Sequence, residues 1–101
     1  MQVTVFAYLH SHPSTRGALE TMVAQILAPT REEPGCVCIE AFCAAHDPQE
    51  FITVSRWDNE AAYRRHTQMS HTVGFLERAV PLLDRPLRIS ITQALSGNTA
   101  P

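Results

Sequence analysis

The period of the apolar pattern changes several times along this chain, and the order of those changes limits what it can fold into. Strand-like patterns predict four strands, at residues 3–9, 36–44, 51–57 and 87–92. Spacing of three and four residues predicts a helix that begins near Pro13 and stops at Pro29, then two helical pieces with Asp58 and Ser70 as N-caps. The order β-α-β-β-α-β is that of the ferredoxin-like α+β fold, in which helices cover one face of a four-stranded antiparallel sheet.

The chain of 101 residues is predicted to form one domain over residues 1–95, followed by a flexible tail at residues 96–101. Its strands carry apolar residues at both alternating positions, so both faces of the sheet are expected to be covered. The helices cover only one of these faces. The other face is therefore predicted to pack against a second copy of the chain in a homodimer.

Composition excludes several classes of function. None of the eight cationic residues is a lysine, which excludes Schiff-base and pyridoxal chemistry. The formal net charge is −2 and no basic cluster is longer than Arg64-Arg65, so no nucleic-acid partner is expected. The chain has no apolar run long enough for a membrane span and no signal-peptide pattern, so we predict a cytoplasmic protein without a membrane partner.

The cysteines agree with a reducing compartment. Cys36, Cys38 and Cys43 are odd in number and accompany no secretion signal, which favours free thiols. Cys36 and Cys38 are predicted to share one face of a strand, where disulfide geometry is rare.

Three short stretches carry a resemblance to a known family. They are residues 31–36, which read Arg-Glu-Glu-Pro-Gly-Cys, the strand end Arg56-Trp57-Asp58, and His66 followed by Ser70-His71. In this order and spacing they resemble the antibiotic biosynthesis monooxygenase family, and its quinol monooxygenases in particular, over nearly the whole chain. The resemblance implies a dimeric α/β barrel. It also implies an oxygenase that works without flavin, haem or metal, because the quinol or phenol substrate itself supplies electrons to oxygen.

The candidate catalytic residues are two histidines and a tyrosine. On a single helix, Tyr63, His66 and Ser70 would project from the same face. His66 is a candidate general base because imidazole ionises near neutral pH, although a surface or core histidine fits the pattern as well. His71 would sit at a helix N-terminus, where the helix dipole disfavours the protonated ring. It could then orient a substrate oxygen or simply belong to the first helical turn.

A second set of residues is predicted to bind the substrate. Trp57 could form a flat wall for an aromatic ligand, with its indole N–H on a polar partner, or could anchor the core. Thr53 and Ser55 share its strand face and could hydrogen-bond a ligand. Tyr8 could reach the same cavity or only pack. The complete predicted set is Trp57, Tyr8, Thr53, Ser55, Ser70 and Phe75.

The sequence predicts neither a metal nor a cofactor. His10-x-His12 and His46-Asp47 offer possible ligands, but their spacing alone is weak evidence for convergence on one ion. No glycine loop for phosphates, no G-x-S-x-G elbow and no H-E-x-x-H motif is present.

Together these features favour a cofactor-independent monooxygenase that oxidises a quinol or phenolic substrate with O2 to a quinone. In this hypothesis His66 is the base, His71 and Tyr63 hydrogen-bond the substrate, and Trp57 is the wall. The partners are a small aromatic molecule, O2 and a second copy of the chain. An isomerase of a small metabolite, or a non-catalytic ligand-binding or stress-response module on the same fold, is the alternative.

Overall fold

The computed structural model describes residues 1–98. Within this range four strands and three α-helices follow one another as β1 (Val3–His10), α1 (Arg16–Arg31), β2 (Cys36–Ala44), β3 (Asp47–Trp57), α2 (Glu60–His66), α3 (Ser70–Ala79) and β4 (Arg88–Thr92). Single turns of 3-10 helix precede α1 at Pro13–Thr15 and follow α3 at Val80–Leu82. None of the helices in the described range combines the length and the apolarity needed to cross a lipid bilayer.

The four strands form one sheet in the order β2-β3-β1-β4, and every neighbouring pair is antiparallel. One helical crossover, α1, joins β1 to β2, and the other, formed by α2 and α3, joins β3 to β4. This is the ferredoxin-like α+β fold, so the predicted fold class is confirmed.

The buried apolar residues lie on the sheet face that the helices cover, in two clusters. One cluster joins α1 and α3 to the sheet and consists of Leu9, Leu19, Val23, Phe51, Phe75 and Ala79. The other joins α2 to the opposite end of the sheet and consists of Val3, Val5, Trp57, Ala62 and Tyr63. Burial of each large apolar side chain contributes roughly 1.5–3 kcal/mol, so both ends of the helical layer are held down.

The turn between α1 and β2 needs a glycine. Gly35 has a positive φ of 88°, and a Cβ at this position would lie 2.6 Å from the Cβ of Ala62 in α2. Its carbonyl accepts the backbone N–H of Asp58 at 2.9 Å, directly before α2. The turn therefore packs closely under α2, which places Glu33 next to that helix.

Two predicted helix boundaries are wrong. Pro29 does not stop α1, which continues to Arg31. A proline this close to the end of a helix removes only one backbone hydrogen bond, so the last turn can still form. The cap of α2 is Asn59 and not Asp58, because the Asn59 side chain accepts the Ala62 N–H at 2.9 Å. The backbone N–H of Asp58 donates to the Gly35 carbonyl just before the helix.

Ser70 is the first residue of α3 and not its cap. The cap position is occupied by Met69, which makes no side-chain hydrogen bond to the helix. Residues 67–69 form a turn between α2 and α3. The prediction that Ser70 shares one helix face with Tyr63 and His66 is therefore wrong, because the helical periodicity is interrupted between them.

The hairpin of β2 and β3 is tighter than predicted and contains a bulge. Strand β3 begins at Asp47, whereas the sequence pattern started it at residue 51, because the turn occupies only residues 45–46. Cys36 pairs with Trp57 and Cys38 pairs with Arg56, which leaves Val37 as an extra residue. Consecutive residues of β3 face opposite ways, so the two cysteines lie on opposite faces of the sheet and the prediction of a shared face is wrong.

The predicted tail is only partly covered. Gly97 lies in a turn, and the Asn98 N–H donates to the Leu95 carbonyl at 2.9 Å. Residues 99–101 lie outside the described residues, so the flexible tail at 96–101 and the domain boundary at 95 stay predictions.

Candidate active site

A cavity of about 100 Å³ lies between the sheet and the helical layer. Apolar side chains from β1, α1, α3 and β4 form most of its wall. Seven residues with polar side chains also line it: Thr30, Thr53, Ser55, Tyr63, His66, Thr67 and Thr72. An apolar pocket with a few convergent polar groups is the usual form of a small-molecule site.

The size of this cavity limits what it can hold without movement. A dry cavity of about 150 Å³ is large enough to bind benzene. The present cavity is smaller, at about 100 Å³. A substituted aromatic ring would therefore fit only if the helical layer or its side chains moved outward.

His66 is the last residue of α2 and lines the cavity. Its ring stacks on the indole of Trp57, with ring centroids 4.9 Å apart and planes inclined by 37°. Its Nδ1 lies 2.7 Å from Oε2 of Glu33 and 3.2 Å from the hydroxyl of Thr72. The ring is held from three sides, as a catalytic group requires.

Glu33 is a buried carboxylate that contacts both candidate catalytic histidines. Its Oε2 lies 2.7 Å from His66 Nδ1 and 2.6 Å from His71 Nε2. Its side chain is only 5% exposed, compared with 14% for His66 and 23% for His71. We refer to Glu33, His66 and His71 as the cavity cluster.

The cavity cluster selects the tautomer of His66. An ionised carboxylate can only accept hydrogen bonds, so Nδ1 of His66 and Nε2 of His71 carry the protons that they donate to Glu33. A neutral His66 then has its lone pair on Nε2. No hydrogen-bond partner for this atom is found among residues 1–98. A molecule in the cavity that reached Nε2 could therefore give His66 a proton.

His71 lies in the first turn of α3, as the sequence suggested, but not in the cavity wall. It lines a groove between α1 and α3, together with Ser70 and Arg78. Its link to the cavity runs through Glu33. His71 therefore contacts the carboxylate of Glu33 but not the cavity itself.

Trp57 is completely buried and does not line the cavity. Its indole N–H donates to Ser55 Oγ at 2.9 Å, which supplies the polar partner that the sequence led us to expect. The expected wall is instead a support behind the ring of His66. Side chains at the end of β3 lie under α2, and His66 covers the indole on the cavity side.

Tyr63 lies where the prediction placed it, in the cavity wall, and is largely buried. Its ring meets Trp57 edge to face, with centroids 6.1 Å apart. Burial raises the pKa of the Tyr63 phenol above its ordinary value. The phenol therefore stays protonated at neutral pH and can donate a hydrogen bond.

Three other predicted residues, Thr53, Ser55 and Phe75, also line the cavity. The two hydroxyl residues reach it because alternate positions of β3 face the helices. Tyr8 does not, because it alternates with Ala7 on β1 and faces the other side of the sheet, where the Arg88 guanidinium lies 4.0 Å above its ring. Ser70 is exposed in the α1 and α3 groove.

Sequence reasoning missed the carboxylate at the centre of the site. Glu33 was recognised as part of the turn at residues 31–36, but no chemical role was assigned to it. A signal was available, since a carboxylate directly before Pro-Gly in a chain with two later histidines is a possible partner for them. Thr72 was missed as well, because nothing local marks it.

A second group of histidine and carboxylates lies at the other end of the sheet. His10 donates or accepts at both ring nitrogens, with Nε2 2.8 Å from Asp47 Oδ2 and Nδ1 2.8 Å from Asp84 Oδ1. We call these three residues the hairpin cluster, because Asp47 begins β3 at the β2–β3 hairpin. The group joins β1, the hairpin and the segment before β4.

The charges of the hairpin cluster stabilise each other. The hydrogen bond to Asp47 raises the pKa of His10 and outweighs its burial, which acts in the opposite direction. The same bond lowers the pKa of Asp47. Burial alone would raise the pKa of Asp84, but hydrogen bonds from Arg85 and His10 outweigh it and lower that pKa.

Of the metal ligands considered from sequence, His10 and Asp47 meet, but as hydrogen-bond partners at 2.8 Å. His10 is engaged by the two aspartates, and His12 is exposed. Among the described residues, the donor atoms that lie close enough to hold an ion are those of the cavity cluster, within 4.8 Å of one another.

Comparison with known proteins supports the resemblance. The family model of the antibiotic biosynthesis monooxygenase domain matches residues 2–78 of this chain. A curated relative from Mycobacterium tuberculosis, named "Putative monooxygenase Rv0793", is 26% identical over 98 residues, which cover 97% of this chain and 96% of the relative. YcnE of Bacillus subtilis, described in the same words, is 24% identical over 91 residues, or 90% of this chain and 96% of that protein.

Solved structures share the fold. The structure of Rv0793 from Mycobacterium tuberculosis matches with a TM-score of 0.91 and 25% sequence identity. The alignment covers 98% of this chain and 100% of Rv0793. PA3566 from Pseudomonas aeruginosa has a TM-score of 0.85 and 27% identity, covering 94% of this chain and 95% of that protein. The similarity extends over the strands and helices that build the cavity.

Proposed function

This chain belongs to the antibiotic biosynthesis monooxygenase family, and on that premise we propose that it is a cofactor-independent monooxygenase that oxidises a quinol or phenolic aromatic with O2 to a quinone. The names of its relatives support a monooxygenase-like role. The substrate class and the use of O2 are our proposal.

One observation carries the mechanism: Glu33 holds Nδ1 of His66 at 2.7 Å while His66 lines an apolar cavity. A phenol in the cavity would give its proton to Nε2, and the resulting imidazolium would keep its other proton on the carboxylate. The phenolate is more electron-rich than the phenol and can transfer electrons to O2. Glu33 stabilises the charged ring as the orienting carboxylate does in other acid–base sites.

The net reaction of a phenol with a free ring position balances without a further reductant. One C–H bond becomes C=O with one atom of O2, and the second oxygen atom leaves as water with two hydrogens from the substrate. Tyr63 can donate a hydrogen bond to the phenolate oxygen because its phenol stays protonated. Thr53 and Phe75 complete the pocket, and His71 supports Glu33.

We also propose that the protein is a homodimer assembled through the sheet face that carries no helix. This face presents Phe6, Phe42, Ile52 and Val54, and Phe42 is 48% exposed in the single chain. Covering such apolar area is the usual reason for association. Light scattering at micromolar concentration should give twice the chain mass, and a monomeric mass would refute the dimer.

The three free cysteines, Cys36, Cys38 and Cys43, favour a reducing location such as the cytoplasm. We propose that location, and we expect neither nucleic acid nor membrane as a partner. A diffuse distribution of the tagged chain in the cell would support this, and a secreted or membrane fraction would contradict it.

Oxygen uptake tests the proposed activity. The purified chain, verified free of flavin, haem and metal, is incubated with quinols, anthrones and polyphenols, with autoxidation measured without protein. Uptake above that background with formation of a quinone, lost in His66→Ala and kept in His12→Ala, is the expected result. His12 is the matched control because it is exposed and lies outside the cavity.

The size of the cavity favours one alternative in particular. At about 100 Å³ it suits a small metabolite better than a multi-ring aromatic. An isomerase would use His66 to move a proton within such a metabolite, and a binding module would only enclose it. No oxygen uptake over the whole panel would favour these alternatives.

A further inference from the structure

We propose that the cavity cluster of Glu33, His66 and His71 binds a divalent transition-metal ion such as Zn²⁺ or Co²⁺. The sequence predicted no metal, because its candidate ligands were sought near His10 and His12. The tertiary structure brings together a different set, from the turn before β2, the end of α2 and the start of α3.

The donor atoms already have nearly the right arrangement. Glu33 Oε2 lies 2.7 Å from His66 Nδ1 and 2.6 Å from His71 Nε2, and all three lie within 4.8 Å of one another. Ligands around a tetrahedral ion with bonds of about 2.0–2.2 Å are roughly 3.3–3.5 Å apart. The two short contacts would therefore need to open by less than about 1 Å.

Charge favours an ion at this place. Glu33 is buried, and its ion-pair partners among residues 1–98 are the two histidines. Buried charges in proteins are paired or coordinate metals. A divalent cation would take the place of the two imidazole protons that now point at the carboxylate, and both neutral rings would become ligands.

The protein holds these groups before any ion arrives. The Glu33 N–H donates to the Thr30 carbonyl at 3.1 Å, and its own carbonyl accepts the Cys36 N–H at 3.1 Å. The ring of His66 is fixed against Trp57. Preorganised ligands lose little conformational freedom on binding, which favours affinity.

Two imidazoles and one carboxylate form a set that binds Zn²⁺ and related ions and leaves coordination positions open. The open side of this site is next to Thr72, whose hydroxyl lies 3.2 Å from His66 Nδ1 and which also lines the cavity. A bound ion could therefore accept a water molecule or a small anionic ligand from the cavity.

Metal binding and the proposed base exclude each other. A neutral imidazole that binds an ion through Nδ1 carries its proton on Nε2, so it can no longer accept one there. If the proposed function is right, the ion inhibits the oxygenase. This consequence rests on the proposed function, whereas the binding itself does not.

Titration with the metal alone tests the site. Binding of Zn²⁺ to the chelator-treated full chain is measured by calorimetry. Binding of Co²⁺ is measured by visible absorption, which distinguishes nitrogen and oxygen ligands from thiolate ligands. We expect one ion per chain without thiolate ligation. His71→Ala should weaken binding by about 100-fold or more, whereas the control His12→Ala should leave it unchanged.

Glu33→Gln provides a second variant, since it removes the charge and keeps the shape, and circular dichroism shows whether either variant folds. It should also weaken binding strongly. Absence of one-to-one binding at micromolar Zn²⁺, thiolate ligation of Co²⁺, or equal affinity in wild type and His71→Ala would overturn the site. Inhibition of oxygen uptake by Zn²⁺ is measured separately, so a protein that binds the ion but shows no uptake refutes only the proposed function.

Discussion

The cavity cluster and the hairpin cluster both combine histidines with carboxylates, but the ratio of histidines to carboxylates is opposite in the two. In the cavity cluster one carboxylate, Glu33, serves two histidines. In the hairpin cluster one histidine, His10, serves two carboxylates. In the first arrangement Nε2 of His66 has no hydrogen-bond partner within residues 1–98, whereas in the second both ring nitrogens of His10 have one.

This difference in ratio suits the cavity cluster to chemistry and the hairpin cluster to a structural role. With two acceptors, the pKa of His10 is raised, chiefly by the hydrogen bond to Asp47, and the ring joins three segments of the chain. With one shared acceptor, His66 and His71 can both donate while neutral, and the remaining nitrogen of His66 stays available for a substrate. Two clusters of similar composition can therefore have different roles because the ratio of donors to acceptors differs.

The largest expected effect is the loss of the base. His66→Ala should lower turnover by about 10²-fold or more, because among the described residues that line the cavity only His66 carries an imidazole. His10→Asn, made in the hairpin cluster, should lower stability but leave turnover near the wild-type value. Steady-state oxygen uptake measures the turnover of both variants. An equal loss of turnover in the two would contradict the separation of roles between the clusters.

The next effect concerns the turn that positions Glu33. Gly35→Ala should lower the free energy of unfolding by about 2 kcal/mol, because the residue has a positive φ and its Cβ would collide with Ala62. Gly17→Ala is the control, since nothing lies within 4 Å of a Cβ there. Urea unfolding measures both variants. An unchanged stability in Gly35→Ala would show that the turn can relax without cost.

Glu33→Gln should lower turnover by at least about tenfold and change its dependence on pH, because an uncharged side chain stabilises the imidazolium less well. Asp84→Asn, the corresponding change in the hairpin cluster, should leave turnover and its pH profile unchanged. The tautomer of His66, read from nitrogen NMR, adds a test without substrate. A predominantly Nε2-protonated ring in the wild type would contradict the arrangement inferred here.

The smallest effect is a pH dependence of stability that comes from the hairpin cluster. The pKa of His10 is raised in the folded state, so its contribution is complete below the ordinary histidine pKa and is lost as pH rises through the raised value. The pKa of Asp47 is lowered, so its contribution is present above the ordinary aspartate pKa and is lost as pH falls through the lowered value.

The stability difference between wild type and Asp47→Asn should therefore be larger at about pH 5.5 than at about pH 9. Thermal unfolding at the two pH values measures it, and Gly17→Ala serves as a control without a titrating group. A difference that does not change between the two pH values would show that the aspartates do not raise the pKa of His10.

Much of the fold could be predicted because it depends on local periodicity. The alternation in β1 and β4, the helical spacing in α1 and the Pro-Gly turn each have a local physical cause, and their order selects the ferredoxin-like arrangement. The errors occurred where a contact elsewhere decides. Pro29 stays within α1, and α2 is capped by Asn59 one residue after Asp58, whose N–H is bonded to Gly35.

The candidate site was predictable only in part. Tyr63, His66, Thr53, Ser55 and Phe75 line the cavity, as expected from their faces on β3, α2 and α3. Tyr8 and Ser70 lie outside the cavity. Periodicity does not specify which face of the sheet the helices cover, which decides the place of Tyr8, or where α2 ends and α3 begins, which decides the place of Ser70.

The order of elements, the family, the available aromatic and imidazole groups and the exclusion of lysine chemistry could all be inferred from the amino-acid sequence. The contact of Glu33 with His66 and His71 could not, since residues about 35 positions apart come together when α2 and α3 fold over the glycine turn. The physical reason is that local preferences set the strands and helices, while hydrogen bonds between distant side chains depend on how those elements pack.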